Sequence, residues 1–248
     1  MVMRAADVND PGSRSAKTAL FDALAEVARA LSAGRRIEII DLLAQGERTV
    51  DEVAHEIGQS MANASHHLRT LARAGLVQSR RDGTHVYYRL ASQGVEELWV
   101  ALRKVAASQR DDLERLAAAY LGPIEELEVI GRDQLLERIQ AGEVVVLDVR
   151  PSAEYRAGHI PGARSVPLEE LPAMIDELPP ELKVIAYCRG PYCVFAPAAV
   201  RALVRAGRSA ARLEEGFPEW RRAGLPIAVG EDPARSTRTS QLHAPHPR

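Results

Sequence analysis

The chain contains two cysteines, and both fall in one seven-residue stretch, Tyr187-Cys188-Arg189-Gly190-Pro191-Tyr192-Cys193. The apolar run Val184-Ile185-Ala186 leads into it, and a helix-like pattern over 194–206 leads away. A thiol at the end of a strand, on a short loop that opens a helix, suits nucleophilic chemistry. Backbone N–H groups and the positive end of the helix dipole both favour a thiolate there. Arg189 adds a cation expected to lower the Cys188 pKa or to draw in an anionic donor. Gly190 admits a backbone conformation closed to other residues, Pro191 stiffens it, and Tyr192 completes the loop. Cys193 reads in two ways. It is a resolving thiol able to attack a modified Cys188 and close an intraloop bridge, or a small side chain that merely packs at the start of the helix.

A second group of chemically able residues lies over 49–90. Asn63, Ser65, His66, His67 and Arg69 follow Ser60, an expected N-cap, on a helix that runs to Ala74 and stops at Gly75. Before it, Thr49 with Glu52 forms a capping box for a short helix bearing Val53, Ala54 and Ile57, and Gly58 makes the turn. After it, two strand-like runs flank Asp82-Gly83, a hairpin dipeptide, with Val86, Tyr88 and Leu90 alternating against His85, Tyr87 and Arg89. Helix, glycine turn, helix and basic hairpin together make a winged helix-turn-helix. Short polar side chains let the second helix enter the major groove of double-stranded DNA, where Arg and His reach bases or phosphates. Arg80, Arg81 and His85 on the hairpin suit phosphate or minor-groove contact.

The elements that must position these two groups divide the chain into blocks. Of 248 residues, 32 are Lys or Arg and 34 Asp or Glu, so the near-zero net charge leaves any DNA-facing basic surface to be local. Residues 1–15 and 230–248 are polar, without apolar periodicity, and are expected as flexible tails. Apolar residues at helical spacing over 20–31 and 37–44 supply two helices of the first block, and 93–121 reads as one long amphipathic helix that closes it. The first block is therefore 16–121, 122–130 the linker and 131–229 the second block. Val144-Val145-Val146-Leu147, Val184 to Tyr187 and, more weakly, Ala210 to Leu213 read as buried strands between helices at 133–140, 168–177, 194–206 and 218–223. The expected fold class is multidomain, a mostly α winged helix with a β-hairpin followed by an α/β domain with a parallel sheet. No apolar run approaches membrane-spanning length, the N-terminus carries no secretory apolar core, and so few cysteines do not staple a secreted scaffold; a cytoplasmic protein without a membrane is expected.

Residues 17–92 resemble the ArsR family of winged-helix repressors. The resemblance rests on Gln59-Ser60-Met61-Ala62-Asn63-Ala64-Ser65-His66-His67-Leu68, then Ala74-Gly75-Leu76-Val77, the Arg81-Asp82-Gly83 wing and Tyr87-Tyr88-Arg89-Leu90. It implies a homodimer, built through the first and last helices, on a roughly palindromic operator. Many members sense metals, but here the helix before the turn has no cysteine and 93–121 has no histidine. Adjacent His66 and His67 diverge by about 100° on a helix, so no metal site is expected.

Residues 131–228 resemble the rhodanese domain, through Leu147-Asp148-Val149-Arg150, Glu154-Tyr155, Gly158-His159-Ile160-Pro161-Gly162-Ala163, the Cys188–Cys193 loop, Gly216-Phe217-Pro218-Glu219-Trp220 and Gly224-Leu225-Pro226. The resemblance implies that Cys188 takes a sulfane sulfur, as a persulfide, from a donor such as thiosulfate or a low-molecular-weight persulfide, with no cofactor. It also implies that Asp148, Arg150 and His159 are scaffold near the site. Phosphatases on a related fold need an Arg six residues after the nucleophile, and that position is Val194. The whole chain then reads as a transcriptional repressor whose sulfur-accepting loop senses reactive sulfur or redox state. The alternatives are a working sulfurtransferase whose winged helix serves dimerisation, and a sensor that uses only a Cys188–Cys193 disulfide.

Overall fold

The computed structural model describes residues 11–232. The chain forms two units, divided between Ala106 and Ala107.

In the first unit, α1 (Arg14–Leu31) begins at an N-cap, Ser13, whose hydroxyl accepts from Ala16 N. α1 starts inside the segment expected as a tail; residues 1–10 lie outside the described residues. α2 (Gly34–Leu43) follows, then β1 (Arg48–Thr49), α3 (Val50–Glu56) and α4 (Met61–Arg73). The capping box is present: Thr49 Oγ1 accepts from Glu52 N at 3.2 Å while the Glu52 carboxylate accepts from Thr49 N at 2.7 Å. Ser60 caps α4 by accepting from Asn63 N at 3.3 Å. β2 (Val77–Asp82) and β3 (His85–Leu90) pair antiparallel with Asp82 opposite His85, so Gly83-Thr84 is the turn. β1 pairs with β3 and completes a three-stranded sheet. Ile39, Ile40, Val53, Ala64, Leu68, Leu71 and Tyr88 bury one shared core, as the helical and alternating patterns require.

The stretch expected as one helix to residue 121 is interrupted. α5 (Gln93–Gln109) ends, Arg110 folds onto Asp112 in an ion pair at 2.8 Å, and α6 (Leu113–Leu121) starts afresh. Trp99 Nε1 donates to Asp41 at 2.8 Å and clamps α5 onto α2. α6 belongs to the second unit.

The second unit is a five-stranded parallel sheet in the order β4-β8-β7-β5-β6, from β4 (Val129–Ile130), β5 (Val144–Asp148), β6 (Arg164–Ser165), β7 (Lys183–Tyr187) and β8 (Ala210–Leu213). Its helices are α7 (Arg132–Ala141), α8 (Ser152–Ala157), α9 (Leu171–Met174, continued by a 3-10 turn at Ile175–Glu177), α10 (Phe195–Arg205) and α11 (Phe217–Arg222). Side chains alternate along β7: Val184, Ala186 and Cys188 enter the core shared with α10, while Ile185 and Tyr187 enter the opposite one with Tyr155, Phe217 and Trp220. The expected linker contributes β4, Leu127 packs on the core, and Glu128 pairs with Lys183. The expected C-terminal tail starts late, because Gly230 N donates to Arg156 O at 2.9 Å and Asp232 accepts from Ser165 N at 2.8 Å. The rest of that tail, 233–248, lies outside the described residues.

Candidate functional site

Cys188 follows directly on the C-terminal end of the central strand β7, where parallel sheets place their ligands. The loop Cys188–Cys193 curls from there into the N-terminus of α10. Two devices fix its shape. Gly190 has a φ of 156°, which side-chain-bearing residues rarely adopt, and Gly216 lies directly beneath it. A Cβ on Gly216 would stand 2.4 Å from Gly190 N and 2.5 Å from Arg189 C, so only glycine lets the two backbones approach. The next residue binds the loop's first carbonyl, Phe217 N donating to Cys188 O at 3.1 Å.

The thiol itself departs from the expectation of an accessible thiolate. Cys188 is 3 % exposed, and burial first, then its hydrogen bond to Cys193, pushes its thiol well above the usual range. The N–H groups of Gly190 and Ala196 oppose that shift by donating toward its sulfur. Cys193, half-buried, is shifted the other way, chiefly by the hydrogen bond from Cys188 and then by N–H groups of Phe195 and Arg189. Both cysteines are free.

Arg189 turns its guanidinium to Glu154. Its Nη2 donates to Glu154 Oε1 at 2.6 Å and its Nε to the same oxygen at 2.9 Å, and its guanidinium lies 5.2 Å from the Phe195 ring centre. Glu154 is fully buried, so this is a desolvated pair, and its residual field reaches Cys193. Pro191 and Tyr192 are half-buried along the rim.

Asp148, Arg150 and His159 lie beneath the opposite face. Arg150, fully buried, donates to both Asp148 oxygens, at 2.9 and 2.5 Å, and to Gly158 O at 2.7 Å. Tyr187 Oη donates to Asp148 at 2.7 Å and accepts from Ile160 N at 3.1 Å. His159 stacks on Tyr155 at 3.6 Å and hydrogen-bonds Tyr155 O at 2.8 Å. These contacts lock the floor from which β7 projects the loop.

In the first unit, Asn63, His66 and Arg69 are exposed along α4, Ser65 less so. His67 turns aside: its Nδ1 is buried without a partner, and burial first, then Arg36, His66 and Arg35, holds its pKa below the ordinary value. On the wing, Arg81 and His85 are exposed. Arg80 is held back, donating to Glu47 at 2.6 Å and to Asp82 at 3.0 Å, with its guanidinium 4.4 Å from the Tyr87 ring centre.

Residues 34–79 match the family described as bacterial regulatory protein, arsR family, and 131–223 match the rhodanese-like domain. The chain is 47 % identical over 219 residues to the HTH-type transcriptional regulator Rv0324 of Mycobacterium tuberculosis, covering 88 % of this chain and 96 % of that protein. The chain belongs to the ArsR-type regulators that carry a rhodanese domain. A sulfurtransferase of Allochromatium vinosum is 32 % identical over 103 residues, 41 % of this chain and 95 % of its own. Among solved structures, the homodimeric winged helix-turn-helix DNA-binding domain of Mb0332 from Mycobacterium bovis is 43 % identical, covers 40 % of this chain and 93 % of its own, and has a TM-score of 0.38.

This ArsR-type regulator therefore carries a DNA-binding winged helix and a rhodanese domain on one chain. No helix among the described residues is long and apolar enough to cross a membrane. Sequence reasoning about the rhodanese loop missed Glu154, Gly216 and Phe217 as its supports. All three stood within its landmark motifs, but Glu154 is 35 residues from Arg189, and nothing local joins them.

Proposed function

We propose that the protein is a homodimeric, operator-binding repressor of the cytoplasm whose rhodanese loop takes sulfane sulfur as a persulfide on Cys188, and whose DNA affinity reports that modification. One observation carries the sulfur reading. Cys188 follows the C-terminal end of the central strand on a loop that runs into the N-terminus of α10, where backbone N–H groups stabilise a persulfide anion better than a neutral thiol. With Glu154 neutralising Arg189, the donor best matched is a small persulfide rather than dianionic thiosulfate. Dimerisation is favoured by Leu20, Phe21 and Leu24 on α1 and Leu98, Leu102 and Val105 on α5, all of them exposed.

Trypsin cleaves after Arg189 and so separates the two thiols, leaving Cys188 in the 184–189 peptide and Cys193 in 190–201. After treatment with a glutathione persulfide, cyanide-labile sulfur is expected on the 184–189 peptide, and none in a Cys188→Ser, Cys193→Ser double variant. A wild-type protein that takes up no sulfur would overturn the reading.

A further inference from the structure

The two loop thiols differ in access and in surroundings. Cys188 is buried, and the nearest carbonyl oxygens its S–H faces are those of Gly190 and Cys193, each at 3.8 Å. Cys193 keeps contact with solvent. It stands two residues before the first residue of α10, a helix of 11 residues, and receives the N–H groups of Phe195 and Arg189. A donor arriving from solvent meets Cys193 first, in the setting that favours a thiolate.

We propose that Cys193 is the first acceptor of sulfane sulfur and hands that sulfur inward to Cys188. The inference rests on the sulfur-accepting function proposed above and adds a modification site and an order of events to it. In the first step the Cys193 thiolate attacks the outer sulfur of a persulfide donor R–S–SH. A sulfur–sulfur bond forms on Cys193 as the donor's breaks, and RS⁻ leaves. In the second step the Cys188 sulfur attacks the terminal sulfur of the Cys193 persulfide. The Cys193–sulfur bond breaks, and the proton of Cys188 passes to the departing Cys193 sulfur. Cys193 then releases that proton to water. Every atom is accounted for, no electrons enter or leave, and Cys188 ends as the persulfide.

The direction of the two pKa shifts agrees with this order, Cys193 lowered and Cys188 raised. A pulse of iodoacetamide on the wild-type protein at neutral pH should label peptide 190–201 before 184–189. The pH midpoint for Cys193 labelling should lie below that of an ordinary thiol, and that for Cys188 above it. With glutathione persulfide, Cys188→Ser should accumulate sulfur on Cys193, and Cys193→Ser should load Cys188 at least about tenfold more slowly than wild type, because the more accessible thiol is gone. Labelling of Cys188 first, or wild-type loading rates in a Cys193→Ser variant of unchanged melting temperature, would overturn the relay. The second result leaves the sulfur-accepting function standing. A wild-type protein that takes up no sulfur removes both.

Discussion

Arg80 and Arg81 are neighbours on the wing, both exposed, yet their electrostatic duties differ. Arg80 spends its guanidinium on Glu47, Asp82 and the face of Tyr87, whereas no ion pair holds Arg81 among the described residues. A phosphate contact releases counterions, and each contributes about 0.9 to the slope of log affinity against log salt. Arg81→Ala should therefore flatten that slope by about one contact, and Arg80→Ala should leave it nearly unchanged; fluorescence anisotropy with a labelled operator over a salt series checks both. The same neutralisation occurs in the thiol loop, where Glu154 takes Arg189. Residue types and local spacing show that a cation is present but not which carboxylate occupies it. Glu47 is 33 residues from Arg80 and Glu154 is 35 from Arg189, separations that only the folded chain closes. The local spacing likewise does not show that burial, with Arg36 and Arg35 of α2 nearby, disfavours the charged form of His67.

Among the elements, the junction of β7, the loop and α10 depends on a close approach by the turn before α11. Adding a methyl group at Gly216 places it 2.4 Å from a backbone nitrogen of the loop, which cannot swing aside as a side chain can. Gly216→Ala should cost about 1–3 kcal/mol of stability in overpacking and displace the N–H groups around Cys188. Denaturant unfolding and cyanide-labile sulfur uptake should fall together; retained uptake with full stability would show that the loop does not need this support. Long elements were legible because their apolar periods run over several turns or alternations: α1, α4, β5, β7 and α10 all lie within a few residues of where the pattern puts them. β4 and β6, two residues each, are too short to show a period. The interruption after α5 was hidden for another reason. Apolar residues continue at helical spacing on both sides of Arg110, and no glycine or proline marks the break, where Arg110 pairs with Asp112.

At the scale of the whole molecule, the chain joins a DNA-binding winged helix to a rhodanese domain, and the division between the two units falls inside α5. Both domains were legible in their motifs, whereas the boundary was not, because α6 continues the apolar pattern of the first unit while belonging to the second. A regulator of this design needs a coupling free energy between its sites, and about 1–3 kcal/mol changes operator occupancy about five- to 150-fold. The most direct test is the operator dissociation constant of the full chain, measured at one salt concentration before and after glutathione persulfide, with the Cys188 persulfide verified by mass spectrometry in the same sample. The expected result is a weakening of at least about fivefold, absent from the Cys188→Ser, Cys193→Ser double variant. An unchanged dissociation constant with Cys188 fully persulfidated would contradict the sensing role and leave a DNA-binding protein beside an independent sulfur carrier.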